Sequence, residues 1–197
     1  MQHGITRICI TDVINGQGAY RFRQAKVRQP AANKLYRAIF HRLGMPLADG
    51  EHELKVTKNE FEAGYDHLLG IDVIFTFRNG MECTMQEKFL TAKYQTVTVE
   101  HMQNPSTGEK GDWFTMKCDY YFVGYDREQK YDFQEWIMLN WPIVRQLTNQ
   151  NKINWQLNKN KEDGARADFK YASFCQFPKE CIVHAKWTPA NNMRSAA

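Results

Sequence analysis

Apolar residues recur along this chain with two different periods, and the change between them separates helical from extended segments. From Ala31 to Leu43, residues Leu35, Ile39 and Leu43 stand four apart with Tyr36 and Phe40 beside them, and Gly44 and Pro46 follow. That spacing predicts an amphipathic helix, with Arg37, His41 and Arg42 on its solvated face. Thr57 lies three residues ahead of Glu60, the arrangement of a capping box, and predicts a second helix running to about His67 and closed by Leu69-Gly70. The period then shortens to two. Ile71–Phe77 and Met81–Leu90 read as strands joined through Arg78-Asn79-Gly80, whose Asn-Gly pair favours a tight hairpin because both residues tolerate positive φ.

Further on, Gln95–Glu100 and Asp119–Tyr125 read as strands on either side of the polar loop Asn104–Asp112. The last third predicts helices around Asp132–Leu139 and near Pro142–Leu147, then a polar loop from Asn149 to Gly164. Near the start, Ile5, Ile8 and Ile10 form a β-prone stretch ended by the turn-like Asn15-Gly16-Gln17-Gly18. Tyr20-Arg21-Phe22-Arg23 alternates aromatic and basic residues, and as a strand it sets a basic face over an apolar one. A charged edge strand accounts for the same pattern.

These elements predict an α/β protein, with a central mixed β-sheet built around the 71–89 hairpin and flanked by helices at 31–43, 57–67 and 132–147. The 197 residues, 43% hydrophobic, suffice for a single domain with a buried core. Within it, residues 1–45 form a basic N-terminal part, 57–125 the core of the domain, and 190–197 a flexible tail. No run approaches the roughly 18 uncharged apolar residues of a membrane span, and the first residues lack the layout of a signal peptide. The expectation is a cytoplasmic, intracellular protein with no membrane partner. Five scattered cysteines without a Cys-x-x-Cys pair read as reduced, mostly buried thiols. Cys175, Cys181 and His184 match no usual zinc spacing, and the five tryptophans read as core or rim residues.

Charge changes the picture more than composition does. Residues 1–45 carry six Arg and two Lys against the single Asp12, a net +7, so the remaining 152 residues balance to −3. The basic end is therefore the expected polyanion contact, through Arg21, Arg23, Lys26 and Arg28.

The chemistry concentrates in the hairpin. Alternation puts Thr84, Gln86 and Lys88 on one face of the second strand and Cys83, Met85, Glu87 and Phe89 on the other, with Asp72 opposite that strand's end. A carboxylate, an amide oxygen and an ammonium converge on one patch. A one-residue bulge would turn Glu87 inward in place of Gln86, and an Asp and a Lys on facing strands also make an ordinary ion pair.

The order Gly-Ile-Asp72, hairpin, Gln86-Glu87-Lys88, then Thr-Val-Glu100, Gly-Asp-Trp113 and Asp-Tyr-Tyr-Phe122 resembles the PD-(D/E)XK nuclease superfamily, in a prokaryotic or phage branch, over about residues 61–125. In that superfamily an aspartate opens one strand and an acidic-x-lysine triplet occupies the next. Here Gln86 stands where Asp or Glu is usual, and Ile71 replaces the proline. The resemblance implies a restriction-endonuclease-like fold and Mg²⁺- or Mn²⁺-dependent hydrolysis of DNA. Asp72, Gln86 and Lys88 would be catalytic, and Asp72, Gln86, Glu87 (through its backbone carbonyl) and Glu62 would hold the metal. A hard cation on oxygen ligands suits a phosphodiester, whose charge repels hydroxide. The neutral amide removes one negative charge from the site, so a further acid is expected to compensate; Glu62 is preferred over Asp66 and Glu100. Nucleases that cut both strands often pair two sites, which would make a homodimer. Two other readings remain open: a nuclease-fold DNA-binding or assembly protein that no longer cleaves, and a protein-binding module without nucleic-acid affinity.

Overall fold

The computed structural model describes residues 17–48, 69–90, 94–126, 133–159 and 167–188, with side chains in the first of these from Arg28 onward. The protein is α/β, with a five-stranded mixed sheet, a four-stranded antiparallel sheet and few helices. The first sheet contains β1 (Val73–Thr76), β2 (Glu82–Leu90), β5 (Tyr120–Tyr125), β6 (Glu135–Asn140) and β9 (Ile182–Lys186), in that spatial order. All its pairings are antiparallel except that of β2 with β5. The second sheet runs β4 (Glu109–Lys110), β3 (Thr96–Asn104), β8 (Asp168–Ser173), β7 (Gln156–Asn158). The parallel β2–β5 pair is possible because β3, β4 and a short helix α2 (Asp112–Thr115) form the crossover between them.

Both faces of the first sheet are covered. Helix α1 (Gln17–Arg42) lays Ala32, Tyr36, Ile39 and Phe40 on one face, against Val73, Phe75, Met85, Phe122 and Met138. Edge-to-face contacts of Tyr36 with Phe75 and Phe122, and of Phe40 with Phe75 and Phe77, lock that layer. The other face carries Tyr121, Val123, Ile137 and Leu139 against Val97 and Val99 of β3, Ala172 of β8, and Val144 and Leu147 of helix α3 (Trp141–Asn149). Asn140 caps α3, its Oδ1 accepting from Ile143 N at 3.1 Å, and Pro142 sits in the first turn, where its missing N–H has no cost.

The hairpin forms where expected but with a different turn. Gly80 N donates to Phe77 O and Phe77 N to Met81 O, so three residues connect the strands. Gly80 takes positive φ (80°), while Asn79 does not and instead accepts from Met81 N through its side chain. A single left-handed residue after a type I turn meets the twist of the strands as well as an Asn-Gly pair would.

Two sequence expectations are overturned. The Tyr20–Arg23 segment is not a strand: Gln17–Arg42 is one helix, with Pro30 inside it, so α1 begins well before the predicted Ala31 and includes half of the expected Asn15–Gly18 turn. Asp132–Leu139 is not a helix either, because Glu135–Asn140 is β6, buried on both faces. An apolar run without a polar side carries no period, and Trp136-Ile137-Met138-Leu139 could be buried as helix or as central strand. The second sheet was only partly anticipated: β4 and β7 fall in segments that read as polar loops, and β8 in one given no element. The expected 57–67 helix and the 190–197 tail lie outside the described residues. No helix among the described residues is long and apolar enough to cross a membrane.

Gly124, next to the end of β5, lies so close to Phe133 that an added Cβ would come within 2.5 Å of its ring. Gly124→Ala is expected to cost about 1–3 kcal/mol through overpacking, read as a lower denaturation midpoint at unchanged m-value.

Of the four described cysteines, Cys83, Cys118 and Cys181 are buried and Cys175 is exposed, all as free thiols. Burial, aided by Asp119, pushes the Cys83 thiol up to about 12, and burial raises Cys181 to about 11. Cys118 is raised further by burial. With almost no thiolate near pH 8, these three should resist an alkylating reagent that labels Cys175; intact-protein mass spectrometry followed by peptide mapping checks it.

Candidate functional site

The site grows from the place where β1 stops pairing. The β1–β2 ladder reaches Val73↔Met85, and Asp72 N still donates to Met85 O. The next ladder donor, Glu87 N, is taken by the Asp72 side chain, whose Oδ2 accepts it at 2.7 Å. A carboxylate thus replaces a backbone carbonyl at the strand end, in a charge-assisted hydrogen bond that fixes its orientation.

Across from it, Gln86 pairs with Tyr121 in the parallel ladder, on the face turned away from α1. Its Oε1 is buried without a hydrogen-bond partner, an unfavourable state for an amide oxygen. Lys88, two residues on and opposite Val123, holds its Nζ 5.1 Å from the ring centroid of Phe169 on β8. Phe169 is the cross-strand partner of Glu100, and Gly111 packs against Glu100 so tightly that a Cβ there would lie 2.7 Å from the Glu100 carbonyl oxygen. Asp72, Gln86 and Lys88 are therefore brought to one end of the sheet, with Glu100 beyond Phe169.

Glu87 points the other way. The pairings of β2 contain no register shift, so no bulge turns this residue, and its carboxylate accepts from Tyr36 Oη at 2.8 Å and Gln29 Nε2 at 3.1 Å beneath α1. The Glu87 side chain thus anchors the helix; only its backbone reaches the Asp72 side. Glu62 and Asp66 lie outside the described residues. Among the basic candidates, Arg21, Arg23 and Lys26 lie on α1, in the part whose side chains are not described. Arg28 is a correction: it is 3% exposed and its Nε meets Asp126 Oδ2 at 3.1 Å. A helix that buries Ala32, Tyr36 and Ile39 turns the residue one turn earlier toward the sheet as well, where no phosphate could reach it.

Four neighbours escaped the sequence reading. Cys118 sits beside the backbone of Gln86, its raised thiol due to burial first and in smaller part to the Asp72 charge. Tyr121, buried, donates to Thr98 O at 2.7 Å and is held well above the usual phenol range by burial, then by Asp112 and, more weakly, by Cys118 and Asp72. Asp112, at the first position of α2, is thus a second carboxylate acting on the same phenol. Asp119 clasps β2 to β5: its Oδ2 accepts from Thr84 N at 2.8 Å and Thr84 Oγ1 at 2.9 Å. Asp112 and Asp119 stood in the Gly-Asp-Trp and Asp-Tyr-Tyr-Phe segments, but nothing in their spacing announced these contacts.

The Trp113, Trp136 and Trp141 rings are buried, Trp136 on the α1 face of the sheet, and Trp155 and Trp187 pack on the core that holds Trp113 and Trp141, as expected of core and rim residues. Among the described residues no three His, Cys, Asp or Glu side chains form a metal-holding group, Cys175, Cys181 and His184 included. No family model, curated protein or solved structure matches this chain.

Proposed function

We propose that this chain is a Mg²⁺- or Mn²⁺-dependent deoxyribonuclease of restriction-endonuclease-like fold, acting through Asp72, Gln86 and Lys88. The observation that carries the reading is the strand end itself: an oriented Asp72 carboxylate opposite a Gln86 whose Oε1 is buried and lacks a partner. A carboxylate and an amide oxygen are too few for a calcium cage. They fit Mg²⁺, which keeps several waters and takes one or two carboxylates plus the substrate's phosphate. When bound, the ion would acidify a water and offset charge building on phosphorus.

Asp72 would anchor that ion, Gln86 would add a neutral oxygen and the Glu87 backbone carbonyl another. Lys88 supplies positive charge to the phosphoryl oxygens or positions the attacking water. Because Gln86 brings no charge, a second acid is needed. Glu62 keeps that place, and Glu100, across the strand pair from the ring under Lys88, is the candidate among the described residues. DNA is the proposed substrate, and a homodimer would align two such sites for cutting both strands.

The non-cleaving DNA-binding reading is favoured by one observation, the lack of a three-acid group among the described residues. Incubation of circular duplex, single-stranded and branched DNA with the purified protein in Mg²⁺, Mn²⁺ or EDTA separates the two. Cutting that requires metal supports the nuclease; salt-sensitive binding without cutting in any metal supports the inactive form.

A further inference from the structure

Helix α2 is only four residues long, yet two of its side chains hold cations against their rings. Lys170 Nζ lies 4.0 Å from the Trp113 centroid and the Arg145 guanidinium carbon 5.3 Å from it. Arg145 Nη1 also donates to the Trp113 carbonyl, tying its fork to the helix. Next along, Lys110 Nζ stands 5.4 Å from the ring of Phe114, which is 42% exposed.

Arg145, Lys170 and Lys110 make no ion pair with a carboxylate among the described residues. Partial burial, and then the Arg145 charge, lowers the Lys170 ammonium from its usual range. Two like charges held at one indole repel each other, and the ring quadrupole offsets only part of that repulsion. An anion beside these cations would offset that repulsion and accept charge-assisted hydrogen bonds.

The surroundings say which anion. An exposed aromatic ring beside cations that no carboxylate pairs among the described residues provides a stacking face next to phosphate contacts, the combination that binds single-stranded nucleic acid; a polyglutamate chain carries no ring to stack there. The surface also adjoins the Asp72 end. Lys117, exposed just after α2, donates its N–H to Leu69 O at 2.8 Å, and Met116 packs on Gly70.

We infer that Arg145 and Lys170, held by the buried Trp113 ring, and Lys110 with the exposed Phe114 ring form a phosphate-and-base contact surface for single-stranded nucleic acid beside the Asp72 site. The inference rests on the nucleic-acid part of the proposed function and is independent of cleavage.

The test is fluorescence anisotropy of a labelled 20-nucleotide single strand with the full chain in EDTA, over a salt series. Arg145→Gln with Lys170→Gln should reduce the slope of log K against log salt by about 1.4, two phosphate contacts at about 0.7 each. Arg145→Lys with Lys170→Arg should keep the slope. Lys110→Gln with Phe114→Ala alters exposed side chains, leaves folding intact and should weaken binding roughly tenfold or more. Unchanged affinity and slope in both neutralised pairs would overturn the inference, as would equal competition by polyglutamate of matched charge or tighter binding of duplex than of single strand. Asp72→Asn, made to stop cutting, should bind with the full salt slope. A failure of the nuclease reading therefore leaves this result standing, and the reverse also holds.

Discussion

Asp72→Asn is expected to lower metal-dependent DNA cleavage roughly 100- to 1,000-fold, the loss typical when one preorganised electrostatic group leaves an active site. The substitution is chosen because the Asp72 side chain has two tasks. Its Oδ2 accepts from Glu87 N at the end of the ladder, so alanine would leave that donor unpaired and cost about 1–3 kcal/mol of stability as well. Asparagine keeps an acceptor at the same position and removes only the charge, so the fold should survive while affinity for the ion drops. Lys88→Ala should lose cleavage to a similar degree. Gel assays on circular duplex DNA, with thermal melts of each variant alongside, read both quantities. Full activity in folded Asp72→Asn would remove Asp72 from the chemistry and leave it a structural role.

The second large effect concerns stability and redirects a residue first read as a DNA contact. Arg28→Ala is expected to destabilise the protein by about 3–5 kcal/mol, because it takes the guanidinium away from Asp126, a fully buried carboxylate. For a chain of this size that is a fall in melting temperature of roughly 6–20 °C. The pair itself need not be a net stabiliser: Arg28 Nη2 is buried with no hydrogen-bond acceptor, an added penalty against the Coulombic gain. Replacing both partners with apolar residues should therefore recover much of the loss, which a double-mutant cycle measures directly. DNA binding by folded Arg28 variants should keep its salt slope. A slope reduced by about one with the melting temperature unchanged would return Arg28 to the surface role.

Around these residues, sequence and tertiary structure contributed differently. The hairpin and the partition of β2 were legible because the strand period of two has only one competing arrangement, a bulge, and none occurs there. Gln86 and Lys88 on one face and Glu87 on the other followed from alternation alone. The helix at 31–43 was legible for the same reason, since its buried stripe repeats at helical spacing.

What the chain could not state locally was decided by packing. Glu135–Asn140 becomes a central strand because β5 and β9 take its backbone hydrogen bonds and two layers cover its faces; its apolar residues would have served a buried helix equally well. Arg28 looked like one of a run of surface bases until α1, continuing through Pro30, set its azimuth toward Asp126, 98 residues away. The meeting of Asp72 with Cys118 and Tyr121, and of Trp113 with Lys170 and Arg145, likewise joins segments far apart in the chain. Periodicity determines which way a side chain points from its own element, since that depends on neighbours three or four residues off. Only the tertiary structure decides what it meets there, because the partner's position is set by contacts that no local pattern encodes.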